Sequence, residues 1–375
     1  MRINGEQLTL MMGAAVPRPV PHPVLDAMQS VEVHSGGDRS GFQLTFTMGK
    51  KSPLQLALLP AGFFDPITTR VVIVVTLNGM PHVLVDGLIT RQEMSPSSDA
   101  GKSTLTITGE DLTVAMDLTE VTIPDRGMSH QAQVNAILGR YGSLGITPVV
   151  IPPFISSTPS PTDRHETQIE TDLVRLRRLA SDNGFVFYIE PGPLPLRSIG
   201  YFGPDIRMPV PQPSLSVNLD AQTNVDSLSF TLDGLRSRVE LTTILDPVTG
   251  RVPITVPIPQ INVFKPPLGV RPLPPARTVF ERTSGTQSFE TATRGAIARG
   301  IASSGAITGN GALSTVRYGH ILRSHSLVGV RGAGLAYDGL YYVDSVSHTI
   351  RPGEHKQSFT LSRDGLISNT PVVMP

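Results

Sequence analysis

Leu44-Thr45-Phe46-Thr47-Met48, Leu84-Val85-Asp86-Gly87-Leu88-Ile89 and Leu105-Thr106-Ile107-Thr108-Gly109-Glu110-Asp111-Leu112 follow one another near the start of the chain. Near its end come Leu228-Ser229-Phe230-Thr231-Leu232, Tyr342-Val343-Asp344-Ser345-Val346-Ser347 and Phe359-Thr360-Leu361-Ser362-Arg363-Asp364-Gly365-Leu366. Apolar residues fall on alternate positions in these blocks, the period of a half-buried strand. Block order is the same in both sets, and an aspartate sits inside each second block. The chain therefore reads as mainly β, with one β-module present twice. Asp86 and Asp344 are expected to be repeat-equivalent structural residues at a strand end. Two similar surfaces on one chain point to assembly before chemistry.

Working outward, 375 residues allow two or three domains, each with its own core. Lysine plus arginine and aspartate plus glutamate both number 31, so no net field draws the chain to nucleic acid or membrane. Charged residues are 17%, a low density that fits surface buried against partners. With no cysteine, a disulfide framework, cysteine-ligated zinc and a thiol nucleophile are excluded. The N-terminus lacks the flanks of a signal peptide, and no apolar run reaches the length of a membrane span.

Four regions follow. Residues 1–26 read as a proline-rich N-terminal arm, stiffened by Pro17, Pro19, Pro21 and Pro23. Residues 27–118 form the first β-module. Within it residues 71–77 are β-branched and apolar on both faces, a strand covered on both sides, and Asn78-Gly79 is a tight turn. Residues 119–212 form an α+β insert. It has one helix after Ser129 and a second from about residue 165 to 182, which stops at Asn183-Gly184. Residues 213–375 form the second β-module with an insertion at about 233–318. That insertion combines a proline-rich stretch (247–275), a short helix (292–304) and a glycine-rich loop (306–312).

Searching for chemistry gives little. Gly101-Lys102-Ser103 lacks the upstream glycine of a phosphate loop, since that position is Pro96. His320 and His325 fall on opposite faces of an expected strand. His348 and His355 flank the Pro352-Gly353 turn without a third ligand at sensible spacing, so exposed turn and strand histidines are expected. Arg175, Arg177 and Arg178 form a solvated or subunit-facing helix surface. No nucleophile elbow is present. No catalytic, cofactor-binding or metal-binding residue is expected, and no cofactor.

Three stretches carry a family likeness. Thr171-Asp172-Leu173-Val174-Arg175-Leu176-Arg177-Arg178-Leu179 through Asn183-Gly184-Phe185-Val186-Phe187-Tyr188 resembles the helix-to-strand segment of contractile-tail hub proteins. These include the phage late control D family and the hub part of type VI secretion spike proteins. Arg317-Tyr318-Gly319-His320 through Tyr341-Tyr342-Val343, and Arg351-Pro352-Gly353-Glu354-His355 through Phe359-Thr360-Leu361, resemble their C-terminal barrel. The stretch from Gly41 through Ser52-Pro53-Leu54 to Asp86-Gly87-Leu88-Ile89 is similar to hubs of phage-tail-like contractile injection systems.

The resemblance implies two tube-protein-like β-barrel modules per chain and a homotrimer. Three chains with two modules each would match a hexameric inner tube protein on one side and a separate trimeric spike protein on the other. Such a chain is a symmetry adaptor among other baseplate components, not an enzyme. It is assembled in the cytoplasm and then sits in the baseplate of a retained or released particle. The candidate docking surface, lying in the long excursion between the first two blocks, is Lys50, Lys51, Pro53, Leu54, Leu56, Phe63 and Phe64. A flap folded onto its own module is the competing use of that excursion. A self-contained β-rich enzyme or carbohydrate-binding tail component is the competing function.

Overall fold

Alternation in the quoted blocks becomes strands of a single 14-stranded sheet. The computed structural model describes residues 2–3, 5–14, 16–37, 39–49, 51–99, 102–123, 128–153, 168–205, 210–236, 238–245, 253–257, 266–274, 276–280 and 305–369. The first module contains β1 (Met28–Gly36), β2 (Gly41–Met48), β3 (Arg70–Leu77), β4 (Met80–Ser95) and β5 (Ser103–Asp111). They lie side by side in the order β3-β4-β5-β2-β1. The second module contains β6 (Ser227–Leu232), β7 (Ile307–Ser314), β8 (Leu327–Arg331), β9 (Gly339–Arg351) and β10 (Glu354–Arg363). Their order is β8-β9-β10-β7-β6. Chain order and sheet order therefore match strand for strand, and the modules join because β1 pairs antiparallel with β9.

The duplication is real but displaced from its sequence reading. Leu44-Thr45-Phe46-Thr47-Met48 lies in β2, which pairs β5. The strand that holds this place in the second module is β7, which pairs β10, whereas Leu228 to Leu232 lie in β6. Residues 306–312, expected as a flexible loop, form most of β7. Glycine hides the alternation there for a packing reason. A Cβ on Gly311 would come within 2.5 Å of the Phe359 ring, and one on Gly309 within 3.0 Å of Phe230.

The N-terminal arm is also corrected. Glu6–Gly13 is a strand paired with β3, and Leu8, Leu10 and Met12 are buried in the first core. The prolines that dominate the sequence pattern begin only after it. β3 is covered on both faces as expected. Val71, Ile73 and Val75 face the main core, while Val72 and Val74 pack with Val83 under Leu196 of the insert. Asn78 and Gly79 make the tight turn with φ of 52° and 80°.

In the insert, α1 (His130–Arg140) and α2 (Asp172–Asn183) cover a sheet of Ile146–Val150, Ser198–Gly203 and Val186–Pro191. Both helix starts follow from side-chain caps, Ser129 Oγ accepting from Ala132 N and Thr171 Oγ1 from Val174 N. Gly184 closes α2 in the left-handed region, φ 66°. Buried Leu173, Leu176 and Leu179 join Val134, Ile137 and Leu138 in a second core that also takes in Leu112 and Met116 from the end of the first module.

The described pairings form an open path, so closure into two barrels is not among them. What they record is a mainly β chain with several sheets. Lys50, Gly101 and the helix expected at 292–304 lie outside the described residues.

Candidate functional site

The seam between modules is where sequence repetition becomes geometry. Ser345↔Gly36, Val346↔Ser35, Ser347↔His34, His348↔Val33, Thr349↔Glu32 and Ile350↔Val31 are its antiparallel partners. Gly36, φ 96°, stands at its corner, where a Cβ would lie 2.3 Å from the Asp344 carbonyl oxygen. Only glycine permits that approach and that φ together. The Gly37 N–H donates to the same carbonyl at 3.2 Å. Hydroxyls and rings then tie the strands laterally: His34 Nδ1 lies 2.8 Å from Ser347 Oγ, and Ser35 Oγ 2.9 Å from Ser324 Oγ.

β9 serves both modules. Val346 belongs to the core of the second, whereas Ile350 lies in the core of the first, together with Ile321. Across the seam a buried polar chain runs from His348 Nδ1 to His355 Nε2 (3.1 Å) and from His355 Nδ1 to Glu6 Oε2 (2.6 Å). These histidines are buried, not exposed as the sequence reading expected. The third group, Glu6, arrives from the far end of the chain, which no spacing rule could reveal. Each ring bonds in series rather than aiming at a common point, and among the described residues no cluster of three such groups has metal-holding geometry.

The candidate docking residues separate. Leu54 and Phe64 are buried in the first core, and Phe63 packs against it. Phe64 lies 5.8 Å from the Phe46 ring and 5.1 Å from Phe63. A wide helical turn, with Leu59 N–H donating to the Leu54 carbonyl and Phe63 N–H to the Leu58 carbonyl, folds the excursion back. Leu54, Phe63 and Phe64 are therefore the anchors of a flap, and of the described candidates Lys51, Pro53 and Leu56 remain exposed.

Asp86 and Asp344 are not equivalent. Thr90 is the bulged residue between Ile89 and Arg91 on β4, and Asp344 is the bulged residue between Val343 and Ser345 on β9. The match of Asp86 to Asp344 slips by two periods of the strand pattern, because period-two alternation looks the same after any even shift. Asp86 instead accepts both NεH and NηH bonds from Arg70, at 2.6 and 2.7 Å. Arg70 also donates to the Leu144 carbonyl, which couples the first module to the insert. Burial pushes the Asp86 carboxyl up against the pull of that guanidinium. Asp344 accepts a 2.8 Å bond from Ser362 Oγ.

No family model and no curated protein matches the chain. Solved structures do. The tail protein of Neisseria meningitidis MC58 superposes with a TM-score of 0.62 at 13% identity, covering 97% of this chain and 98% of that one. The 43 kDa tail protein of prophage MuSo2 from Shewanella oneidensis gives 0.61 at 14%, covering 96% and 99%. The Escherichia coli c3393 protein, described as a type VI secretion component similar to T4 bacteriophage tail proteins, gives 0.52 at 12%, covering 93% and 77%. The chain has the fold of phage tail proteins.

Within this tail-protein fold one cleft lies where the modules meet the insert, lined by Asp111, Arg177, Tyr188, Glu190, Arg323 and His325 among others. Its groups are turned on one another. Tyr188 stacks on His325 with ring centroids 4.1 Å apart, His325 Nδ1 lies 3.2 Å from Tyr342 Oη, and Tyr342 Oη donates to Asp205. Glu190 pairs with Arg323 at 3.7 Å. Burial lifts the Asp111 carboxyl to about 6, yet its Oδ1 is occupied by Thr113 N and Oγ1. His320 and His325 sit in the connection before β8, not on a strand. Arg175 is buried and donates to Gln133 Oε1, so it does not lie on the solvated helix surface expected of it, and Arg178 pairs with Glu170. No helix among the described residues is long and apolar enough to cross a membrane.

Proposed function

We propose that this chain is a non-enzymatic structural hub of a contractile, tail-like injection particle. It would act as a homotrimeric symmetry adaptor between a hexameric inner tube and a separate trimeric spike. One observation carries the proposal: the chain holds the same module twice, in the same strand order, joined edge to edge. An adaptor between threefold and sixfold partners needs two like surfaces per chain, held at a fixed angle, and a continuous ladder across Gly36 and Ser345 holds them. The tail-protein fold supports the same conclusion.

On this proposal residues 27–118 and 213–375 are the modules, each completed as a barrel within the assembly, and residues 119–212 are a spacer whose core also takes in Leu112 and Met116. Lys51, Pro53 and Leu56, the exposed crest of the flap, face a neighbouring component. The chain would be assembled in the cytoplasm and carried in the particle's baseplate.

Native mass measurement of the full-length protein, alone and with its tube and spike partners, tests the proposal. A trimer that binds both is expected. A stable monomer indifferent to the spike would overturn it.

A further inference from the structure

The buried polar chain at the seam ends on the cleft. His348 is 3% exposed and forms part of the cleft wall. Its Nδ1 is spent on His355, and its Nε2 has no hydrogen-bond partner among the described residues. Among those residues the polar side-chain atoms shut off without a partner are Glu6 Oε1, Asn183 Oδ1 and Ser198 Oγ. His348 Nε2 is not one of them, so it opens on the cleft.

What that nitrogen offers follows from charge. A carboxyl group and two imidazoles closed off from water are held at least cost when their charges sum to zero. One proton then lies between Glu6 and His355, and whichever of the two holds it, His355 carries a proton on Nε2. That N–H donates to His348 Nδ1, which must accept. Burial beside His355 and Arg323 keeps His348 neutral, so its single proton sits on Nε2. The chain of groups thus delivers a fixed N–H to the cleft.

The charged groups around it favour an anion. Arg323 reaches Glu190 only at 3.7 Å, longer than a hydrogen bond. Its backbone is held at both ends by Gln212, which accepts from Arg323 N and donates to its carbonyl. Arg39, from the connection between β1 and β2, meets Glu110 at 3.5 Å with a side chain 65% exposed. Arg177 comes from α2. Of the two carboxylates on the wall, Asp111 turns Oδ1 to Thr113, and Glu190 is the loose counter-ion of Arg323.

We propose that this cleft binds a small oxyanion, held by His348 Nε2–H and the Arg323 guanidinium, with Arg39 and Arg177 at its rim. Glu190 gives up Arg323 to the ion and turns to water. The ion meets groups from the first module, the insert and the second module at once. This site goes beyond the hub reading and does not depend on it.

Calorimetric titration of the full-length protein with sodium phosphate and sodium sulfate, at constant ionic strength set with chloride, tests the site. One saturable site per chain with a Kd of about 1 mM or tighter is expected. Arg323→Gln should weaken it at least about tenfold through loss of a charge-assisted bond. Glu190→Gln should tighten it about two- to fivefold, because the competing carboxylate is gone. A variant that merely disturbed the fold would not bind better. Sodium acetate separates two sources of the same chemistry. Acetate binding as tight as phosphate makes the occupant an acidic side chain of a partner, and phosphate and sulfate binding alone makes it the free ion; either supports the site. No saturable binding of any of the three overturns it, as does binding that neither variant changes. Histidine nitrogen NMR of the native chain, with His348→Gln for assignment, should find the His348 proton on Nε2. A proton on Nδ1 would turn a lone pair toward the ion and overturn the site.

Discussion

Glu6 and His355, 349 residues apart in the chain, share a 2.6 Å hydrogen bond with both side chains fully buried. The bond ties the N-terminal strand Glu6–Gly13, which pairs with the first module, to the β9–β10 hairpin of the second, and His348 continues it. The first and last thirds of the chain are thus closed on each other at the seam, by polar groups that water does not reach.

Acid should loosen this closure. Burial, with His355 and Arg323 beside it, holds His348 well below the usual imidazole value of 6.5. Below that value the unfolded chain binds a proton that folded His348 does not, so this part of the stability is present above 6.5 and is lost as pH falls. The slope approaches about 1.4 kcal/mol per pH unit for one proton. Asp111, raised to about 6, acts in the opposite sense at lower pH, so the comparison must be with a variant. Urea titrations of the native chain and His348→Gln between pH 7 and 5 should show their stability difference shrinking. A constant difference would contradict the assignment.

Asp86 and Asp344 should behave differently when truncated. Asp86→Ala leaves the Arg70 guanidinium buried without its bidentate partner, a loss of about 3–5 kcal/mol. Asp344→Ala removes a carboxylate that accepts from the neutral Ser362 hydroxyl and not from a buried guanidinium, and should cost less than Asp86→Ala. Denaturant midpoints with unchanged slopes check this, and equal losses would restore the equivalence that the sheet register denies.

Much of the architecture was legible because alternation, caps and turns are local. Ser129, Asn78-Gly79 and Gly184 act through bonds within a few residues, so their roles follow from the order of residues alone; the start of α2, expected near residue 165, instead follows a strand at Gln168–Thr171. β7 was not legible, because its glycines yield space to Phe230 and Phe359, rings brought by other strands. Glu6 was equally hidden, since its partners arrive from the opposite end. The slip from Thr90 to Asp86 has a third cause: it is an even shift of four residues, and period-two alternation looks the same after it. Of the candidate site, the excursion was found but its direction was not, since apolar residues at 54, 63 and 64 fit a docking crest and a buried anchor equally.

That direction can be checked. Phe64→Ala should cost about 3–5 kcal/mol by opening a cavity beside Phe46. Leu56→Ala, at a residue 65% exposed, should stay within about 0.5 kcal/mol. Thermal and urea unfolding of the two variants decide it. A neutral Phe64→Ala would mean that the flap does not pack as described.

The seam itself can be probed at neighbouring glycines that differ in one respect. Gly36 and Gly37 both have positive φ, 96° and 69°, so alanine at either strains the backbone by roughly 1–2 kcal/mol. At Gly37 the new Cβ meets nothing within 4 Å, and the loss should end there. At Gly36 it would stand 2.3 Å from the Asp344 carbonyl oxygen and 2.8 Å from Ser324 Cβ, so the corner of the ladder must part. Backbone atoms on both strands are fixed by the bonds that flank them, and neither can yield alone. Gly36→Ala should therefore lose at least about 2 kcal/mol more than Gly37→Ala. Because β1 and β9 are the joint between modules, its two modules should also unfold further apart in denaturant than those of the native chain. If Gly36→Ala unfolds in a single step with the stability of Gly37→Ala, the ladder across residues 36 and 345 is not what couples the two modules.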